Sequence, residues 1–234
     1  MLIKPIKTRI FLENENLISF IAQHTPVIRE KSILVITLKI VSLSEGRTDN
    51  DTSKKNKALL VKKESDLVFL TKYVWLTIRQ NLIMPNAGID ESNANGKLIL
   101  LPKDSFKSAE KIRNALKKKY GLNNLGVLIT DSRLLPLRNG TVGVALGYAG
   151  FKGKNDYRGK KDLFGRKFKF SQTDIADSLA SSAVLVMGEG NESIPLAIIE
   201  DSGVTYVKKV DREELTIDIK KDIYLPLFER MRKL

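Results

Sequence analysis

One feature restricts the fold more than any other: several runs of this chain are apolar at every position rather than at every second one. Ser32-Ile-Leu-Val-Ile-Thr-Leu-Lys-Ile-Val-Ser42 opens with an unbroken series of β-branched and leucine residues. Leu125 with Val127-Leu128-Ile129 and Pro195 to Ile199 repeat the pattern. A strand that is apolar on both sides has to be covered on both sides, which in a chain of this size calls for a sheet between helices. The intervening segments supply them. Phe106, Ala109, Ile112 and Leu116 mark the inner face of a helix that Asp104 or Ser105 caps and Gly121 stops. Ile175, Leu179, Ala183 and Met187 mark another, which Ser171-Gln-Thr-Asp174 opens as a capping box. The order of a strand over Lys97–Leu101, the helix and the strand at Leu125 predicts a crossover and a partly parallel sheet. The fold class expected is α/β with mixed sheets and flanking helices.

The remaining segments are less regular. Ile3 to Ile10 reads as a strand, a turn follows at Glu13-Asn14, and Leu17, Ile18 and Ile21 share one face of a short helix. Ser32 to Ser42 reads as a single buried strand, Asp49 to Asn56 as a loop, and Leu59 to Trp75 as an interrupted helix. Val204 to Val207 reads as a short strand and the C-terminus as a basic helix. The whole is expected to form one unit over residues 1–234, or two lobes with 125–170 forming much of one.

Composition removes several chemistries. The chain has no cysteine and one histidine, so thiolate metal sites, cysteine nucleophiles and His-rich centres are excluded. His24 lies before Thr25-Pro26 at a helix end, where a basic side chain helps cap carbonyls. Any bound metal is left with oxygen ligands, hence magnesium, manganese or calcium. The net charge of +13 favours an anionic partner. No apolar run approaches the roughly 18 residues needed to span a bilayer, and the first residues lack the apolar core of a signal peptide. A cytoplasmic protein is expected.

Residues 125–170 concentrate unusual chemistry. The apolar run ends in Asp131-Ser132, and seven of the 15 glycines follow between positions 140 and 165. Lys152, Lys154, Arg158, Lys160, Lys161, Arg166, Lys167 and Lys169 crowd the second half against Asp156 and Asp162. A carboxylate at a strand end, glycine-permitted backbone approach and positive charge suit a metal-bound, phosphate-bearing ligand; a basic surface loop has the same composition. Neither a Walker A nor a G-x-G-x-x-G pattern occurs. Three loops carry oxygen ligands: Asp90 with Asn93, Asp131 with Ser132, and Glu189 with Asn191 and Glu192. Carboxylates also serve simply as turn-formers.

The string Asn86-Ala-Gly-Ile-Asp-Glu-Ser-Asn93 resembles the A-G-[IV]-D-x-S-N motif of the coenzyme F-420-0:γ-L-glutamyl ligases. Lys39-Ile-Val-Ser42, Glu45-Gly-Arg47, Leu101-Pro-Lys-Asp104, Ile129-Thr-Asp-Ser132 and Gly140-Thr-Val-Gly-Val-Ala-Leu-Gly147 match that family in order. So do Asp156-Tyr-Arg-Gly159, Asp162-Leu-Phe-Gly-Arg166, Ala176-Asp-Ser-Leu-Ala180 and Val186-Met-Gly-Glu-Gly190. The chain also looks like bacterial relatives labelled as folate-metabolism γ-glutamate ligases. The resemblance implies an amide bond formed between L-glutamate and a carboxyl of a deazaflavin acceptor, driven by GTP as co-substrate. It implies Mg2+ or Mn2+ with help from K+, and an intertwined homodimer; a clamp of two ions is what the phosphoryl chemistry leads one to expect. Metal ligands would fall on Asp90, Asp131, Ser132 and Glu189. Nucleotide contacts would fall on Asn93 and on the loop Met187 to Ile194 (Met187, Gly188, Gly190, Asn191), with Thr8 and Arg9 in the family's N-terminal turn. Chemical reasoning fits this: a carboxylate must be activated, most simply as an acyl phosphate, before an amine can attack it. Arg138 and Arg158 are candidates for holding the acidic acceptor and glutamate, because arginine can meet a carboxylate with two parallel bonds.

Some positions depart from the family pattern. Leu38 and Leu43 stand where a polar residue and a lysine are usual, and Lys7-Thr-Arg-Ile10 replaces a Gly-Leu-Pro turn. The expectation is retained phosphoryl chemistry with altered base recognition or acceptor identity. Competing readings are a nucleic-acid-binding module, against which acids interrupt the basic run, and a related fold that binds without catalysing.

Overall fold

The computed structural model describes residues 1–231. Its strands are β1 (Leu2–Ile6), β2 (Ser32–Thr37), β3 (Thr48–Asp49), β4 (Leu67–Leu70), β5 (Trp75–Arg79), β6 (Leu82–Pro85), β7 (Leu98–Ile99), β8 (Leu125–Leu134), β9 (Thr141–Ala149), β10 (Lys154–Asp156), β11 (Gln172–Asp174) and β12 (Leu196–Glu200). Its helices are α1 (Leu17–His24), α2 (Leu38–Ser44), α3 (Lys54–Lys63), α4 (Ser105–Tyr120), α5 (Ile175–Met187) and α6 (Leu225–Met231). Among the described residues no helix is long and apolar enough to cross a membrane.

The main sheet runs β1-β12-β2-β8-β9. Only β2 and β8 are parallel; the other pairs are antiparallel. The uninterrupted apolar strands are covered on both faces, as their composition requires. Leu34, Ile36, Val127, Ile129, Leu196 and Ile198 pack with α1 and with Ala109, Ile112 and Leu116 of α4. The alternate residues Ile33, Val35, Leu128, Ala197 and Ile199 pack on Leu179, Ala180 and Ala183 of α5. The class is thus α/β, a mixed, partly parallel sheet between helices. A third cluster, Val61, Ala87, Ile89, Leu98 and Leu100, lies beneath α3 and the β4-β5-β6 meander.

Several expectations are corrected. β2 ends at Thr37, and the chain turns into α2, because Leu38, Val41 and Ser42 bury at helical spacing. A short apolar run does not itself distinguish the two states. The expected helix over 59–75 is instead the end of α3 followed by β4 and the start of β5. Trp75 is half-buried against the third cluster. The parallel partner of β8 is β2, and the short β7 pairs with β3, so the crossover is longer than the strand–helix–strand expected. Helix α5 is capped by Asp174, whose side chain accepts from the Asp177 amide, rather than by Ser171, because residues 172–174 pair as β11. Val204 to Val207 makes only an isolated bridge, Tyr206 to Phe151. His24 is structural: Nδ1 lies 2.9 Å from the Phe20 carbonyl oxygen.

The largest correction concerns the glycine-dense segment. Residues 141–149 are an edge strand, not a loop, and its glycines admit helices. A Cβ on Gly143 would meet the Ala180 carbonyl oxygen at 2.4 Å, and one on Gly147 the Ser105 carbonyl carbon at 2.5 Å. The two glycines, four apart, face different helices because a bulge intervenes: Ile129 pairs with Gly147 but Thr130 with Ala145. The bulge leaves the Ala145 amide free of the ladder, and Asp177 Oδ1 accepts it at 2.8 Å. Bulges re-aim the side chains beside them, and here the next residue of β8 is Asp131.

Candidate active site

Asp90 is delivered by an over-determined turn. Asn86, Ala87 and Gly88 all have left-handed backbone, with φ of 51°, 56° and 71°. For the buried Ala87 this costs about 1–2 kcal/mol, so neighbouring contacts must enforce it. The Ala87 amide donates to Thr77 Oγ1 at 2.9 Å, and Thr77 Oγ1 donates to the Met84 carbonyl oxygen at 2.7 Å. Asn86 Oδ1 accepts the Trp75 amide at 3.2 Å. Asp90 then exchanges both backbone hydrogen bonds with Ile99, at 2.9 and 2.8 Å. Beneath the turn, Arg47 and Arg79 share Glu64 Oε2, each at 2.8 Å. The Asp90 carboxylate accepts from the Ser92 amide at 2.7 Å and from Ser92 Oγ at 3.1 Å. Lys39 Nζ lies 2.9 Å from its Oδ2. Burial pushes this carboxyl up, but Lys39 and Ser92 outweigh it and leave it below its ordinary value.

Asp131 follows the bulge on β8 and has the opposite balance. Burial drives its carboxyl up, Arg133 offsets part of the shift, and the Asp90 charge adds to it. Strand pairing brings the two carboxylates, from loops far apart in sequence, into one neighbourhood: Thr37 pairs with Thr130, next to Asp131, and Lys39 two residues on reaches Asp90. Arg133 is buried, donates to Asp131 Oδ2, and donates to the Ser132 carbonyl oxygen at 2.9 Å. Its Nη2 lies 3.6 Å from Met84 Sδ, and its Nε is buried without a partner among the described residues. Ser132 itself is half-buried opposite Gly143.

The loop after α5 comes to the same region through its backbone. Asn93 Nδ2 donates to the Gly190 carbonyl oxygen at 3.1 Å. The Thr8 amide donates to Ser193 O at 2.9 Å, and the Thr37 amide to Pro195 O at 3.0 Å. Glu192 folds back to accept the Gly190 amide at 2.8 Å. Thus Asn93, Gly190 and the Thr8 backbone are brought near one another. Gly188 caps α5, donating to the Val184 carbonyl oxygen at 3.0 Å, and Asn191 is exposed. Met187 points into the core, at 2% exposure.

Glu189, between Gly188 and Gly190 in that same loop, is exposed, and among the described residues no three His, Cys, Asp or Glu side chains are close enough to hold a metal together. Arg9 is committed to Glu15 and lies over the Phe20 ring at 4.9 Å, and it holds the Glu15 carboxyl down to about 2. Arg138 is exposed in the β8–β9 turn. Arg158 pairs with Asp156 at 2.5 Å. Sequence reasoning assigned no role to Lys39 or Arg133. The first lies in a quoted motif and the second directly follows Asp131-Ser132, so the signal was available.

The donor set decides which metal fits. Two carboxylates, each neutralised by an internal cation, with hydroxyl oxygens beside them, do not make an all-protein cage. They suit magnesium or manganese, ions that take one or two carboxylates and complete their shell with water and substrate phosphate. Asp90 and Asp131 are the side chains that would hold such an ion.

An α/β protein with an acidic centre mounted on strand-end loops is built as an enzyme rather than as a scaffold. Residues 5–201 match the family described as F420-0:Gamma-glutamyl ligase, and the chain belongs to that ligase family. It is similar to the Coenzyme F420:L-glutamate ligase of Methanocaldococcus jannaschii, 36% identical over 212 residues, which is 83% of this chain and 84% of that one. The protein of the same name from Methanococcus maripaludis is 36% identical over 197 residues, 76% of this chain and 79% of that one. That of Archaeoglobus fulgidus is 32% identical over 210 residues, 82% and 83%.

Proposed function

We propose that this protein joins L-glutamate to a carboxylate of an F420-type acceptor, using a nucleoside triphosphate, GTP foremost, to activate the acid. The observation that carries the reading is Asp90, held by Lys39 from just past the end of β2, beside the neighbouring strand end that carries Asp131 and a loop tied to Asn93, in a chain matched to the ligases over residues 5–201. In the proposed sequence an acceptor carboxylate oxygen attacks the γ-phosphorus and the bond to the bridging β–γ oxygen breaks. The glutamate amine then attacks the acyl carbon, phosphate leaves, and the amine proton passes to solvent. Bound Mg2+ or Mn2+ would neutralise phosphate oxygens as charge moves. Lys39 would steady the transferring phosphoryl group, and Arg133 would fix the orientation of Asp131. Ser92 would hold Asp90 as a carboxylate, and the backbone of Gly188 to Asn191 would approach the nucleotide.

The protein is proposed to act as a homodimer, supported by the 97% and 95% exposed Leu163 and Phe164 on the excursion between β10 and β11. The test is incubation with L-glutamate, Mg2+ or Mn2+, and GTP or ATP against a panel of deazaflavin and folate acceptors. The expected product is heavier by one glutamyl residue, with one phosphate released. Absence of both from every combination would refute the reading.

A further inference from the structure

Between the first turn of α3 and the turn joining β4 to β5 lies a cavity of about 320 Å³. Its wall holds three cations, Lys54, Lys57 and Lys72, with Tyr73, Trp75 and Leu70, and none of its lining residues is a carboxylate. Lys54 and Lys72 have no carboxylate partner among the described residues. Tyr73 is 84% exposed, with Lys72 Nζ over one face of its ring at 5.5 Å. The other large cavity, about 670 Å³, is lined by Lys152, Lys154 and Lys160 but also by Asp156, Asp211, Glu213 and Glu214, so it selects no sign of charge.

The smaller cavity adjoins the acidic centre through the backbone. Asn86 lines it and opens the strained turn that ends in Asp90. Lys57 Nζ pairs with Glu91 Oε1 at 2.7 Å, tying α3 to the residue after Asp90. A ring seated beside Trp75 and Tyr73 would lie against the element that carries the site's first carboxylate.

Resting on the ligase reading above, we propose that this cavity seats a planar aromatic ligand bearing negative charge, its ring against Trp75 and Tyr73 and its anionic groups on Lys54 and Lys72. Aromatic faces accept flat rings once Lys72 and Lys62, which lie over the Tyr73 and Trp75 rings at 5.5 and 5.8 Å, swing aside, and lysines without carboxylate partners answer the charge. The proposed reaction offers two sources of that chemistry, the deazaflavin acceptor and the purine nucleotide.

Trp75 is the only tryptophan and lines this cavity, so its fluorescence senses a ligand seated there, and the lysine variants below separate that from quenching at a distance. The intact protein is titrated separately with an F420-0-type deazaflavin phosphate and with GTP, absorption being corrected. Quenching that saturates is expected with one of them, and its identity names the source. K54M/K72M is expected to weaken that titration by at least about tenfold, the loss of two charge-assisted contacts. K118M/K119M, with the same charge removed from exposed positions of α4, is expected to leave it unchanged. No saturable quenching by either ligand, or equal weakening in both double variants, overturns the proposal. The ligation assay run in parallel separates the two readings. Ligation without quenching removes this site and leaves the ligase, whereas quenching without ligation does the reverse.

Discussion

Arg133→Met tests whether the acidic centre is an electrostatically coupled unit. Arg133 is 6% exposed and its partner Asp131 18% exposed by side chain. Removing the guanidinium leaves a carboxylate with little water beside a second carboxylate, Asp90. Breaking a buried pair from one side costs about 3–5 kcal/mol, and the residual exposure of Asp131 argues for about 3. For a chain of this length that corresponds to a fall in Tm of roughly 6–12 °C. The measurement is urea unfolding followed by circular dichroism at pH 7.5 in the presence of a chelator, so that no metal replaces the lost charge.

The sharper result concerns sign. Asp131→Asn alone is expected to destabilise, because it strands Arg133, but the same change in the Arg133→Met background should restore about 1–2 kcal/mol. The Arg133→Met deficit should also shrink in acid. A carboxyl raised above its unfolded value is unfavourable only where it is ionised. Its cost is absent below the unfolded value and grows as pH rises towards the folded one. Additive effects of the two substitutions, or an Arg133→Met variant within 1 kcal/mol of wild type, would refute the coupling.

Gly143→Ala should lose about 2–3 kcal/mol in a thermal melt, because its new Cβ meets the α5 backbone at 2.4 Å. Gly126→Ala should lose less, since there the obstacles are the Ile33 and Phe151 side chains at 2.8 and 2.9 Å. Burial, reinforced by the Asp177 carboxylate, pushes Asp174 up to about 6. Its contribution to stability is therefore full below pH 4 and is lost as pH rises through 6, and Asp174→Asn should flatten the urea midpoint across that window. Manganese with GTP should raise the Tm of the wild-type protein by several degrees but leave Asp90→Asn/Asp131→Asn unmoved in differential scanning fluorimetry.

What could be read from residue order was what depends on local pattern. The apolar runs at 33–36, 125–129 and 196–199 became the strands covered on both faces. The helical spacing of Ala109, Ile112 and Leu116 became the inner face of α4. Features set by distant partners were not legible. Glycines at 143 and 147 look like a flexible loop until α5 and α4 pack so closely that a Cβ at either position would collide with helix backbone. Leu59 to Trp75 passes for an interrupted helix until β4, β5 and β6 pair. The site divides in the same way. Asp90 and Asp131 stand out as carboxylates at element ends, but their mutual repulsion and the internal cations Lys39 and Arg133 arise only once β8, α2 and the Asn86–Asp90 turn are assembled. A cation-neutralised pair has a physical consequence that a list of acids does not. The centre can fold without metal, because Lys39 and Arg133 supply the charge. On the ligase reading a polyanionic nucleotide would supply the negative charge that draws Lys39 from Asp90, so manganese should bind more tightly with GTP than alone.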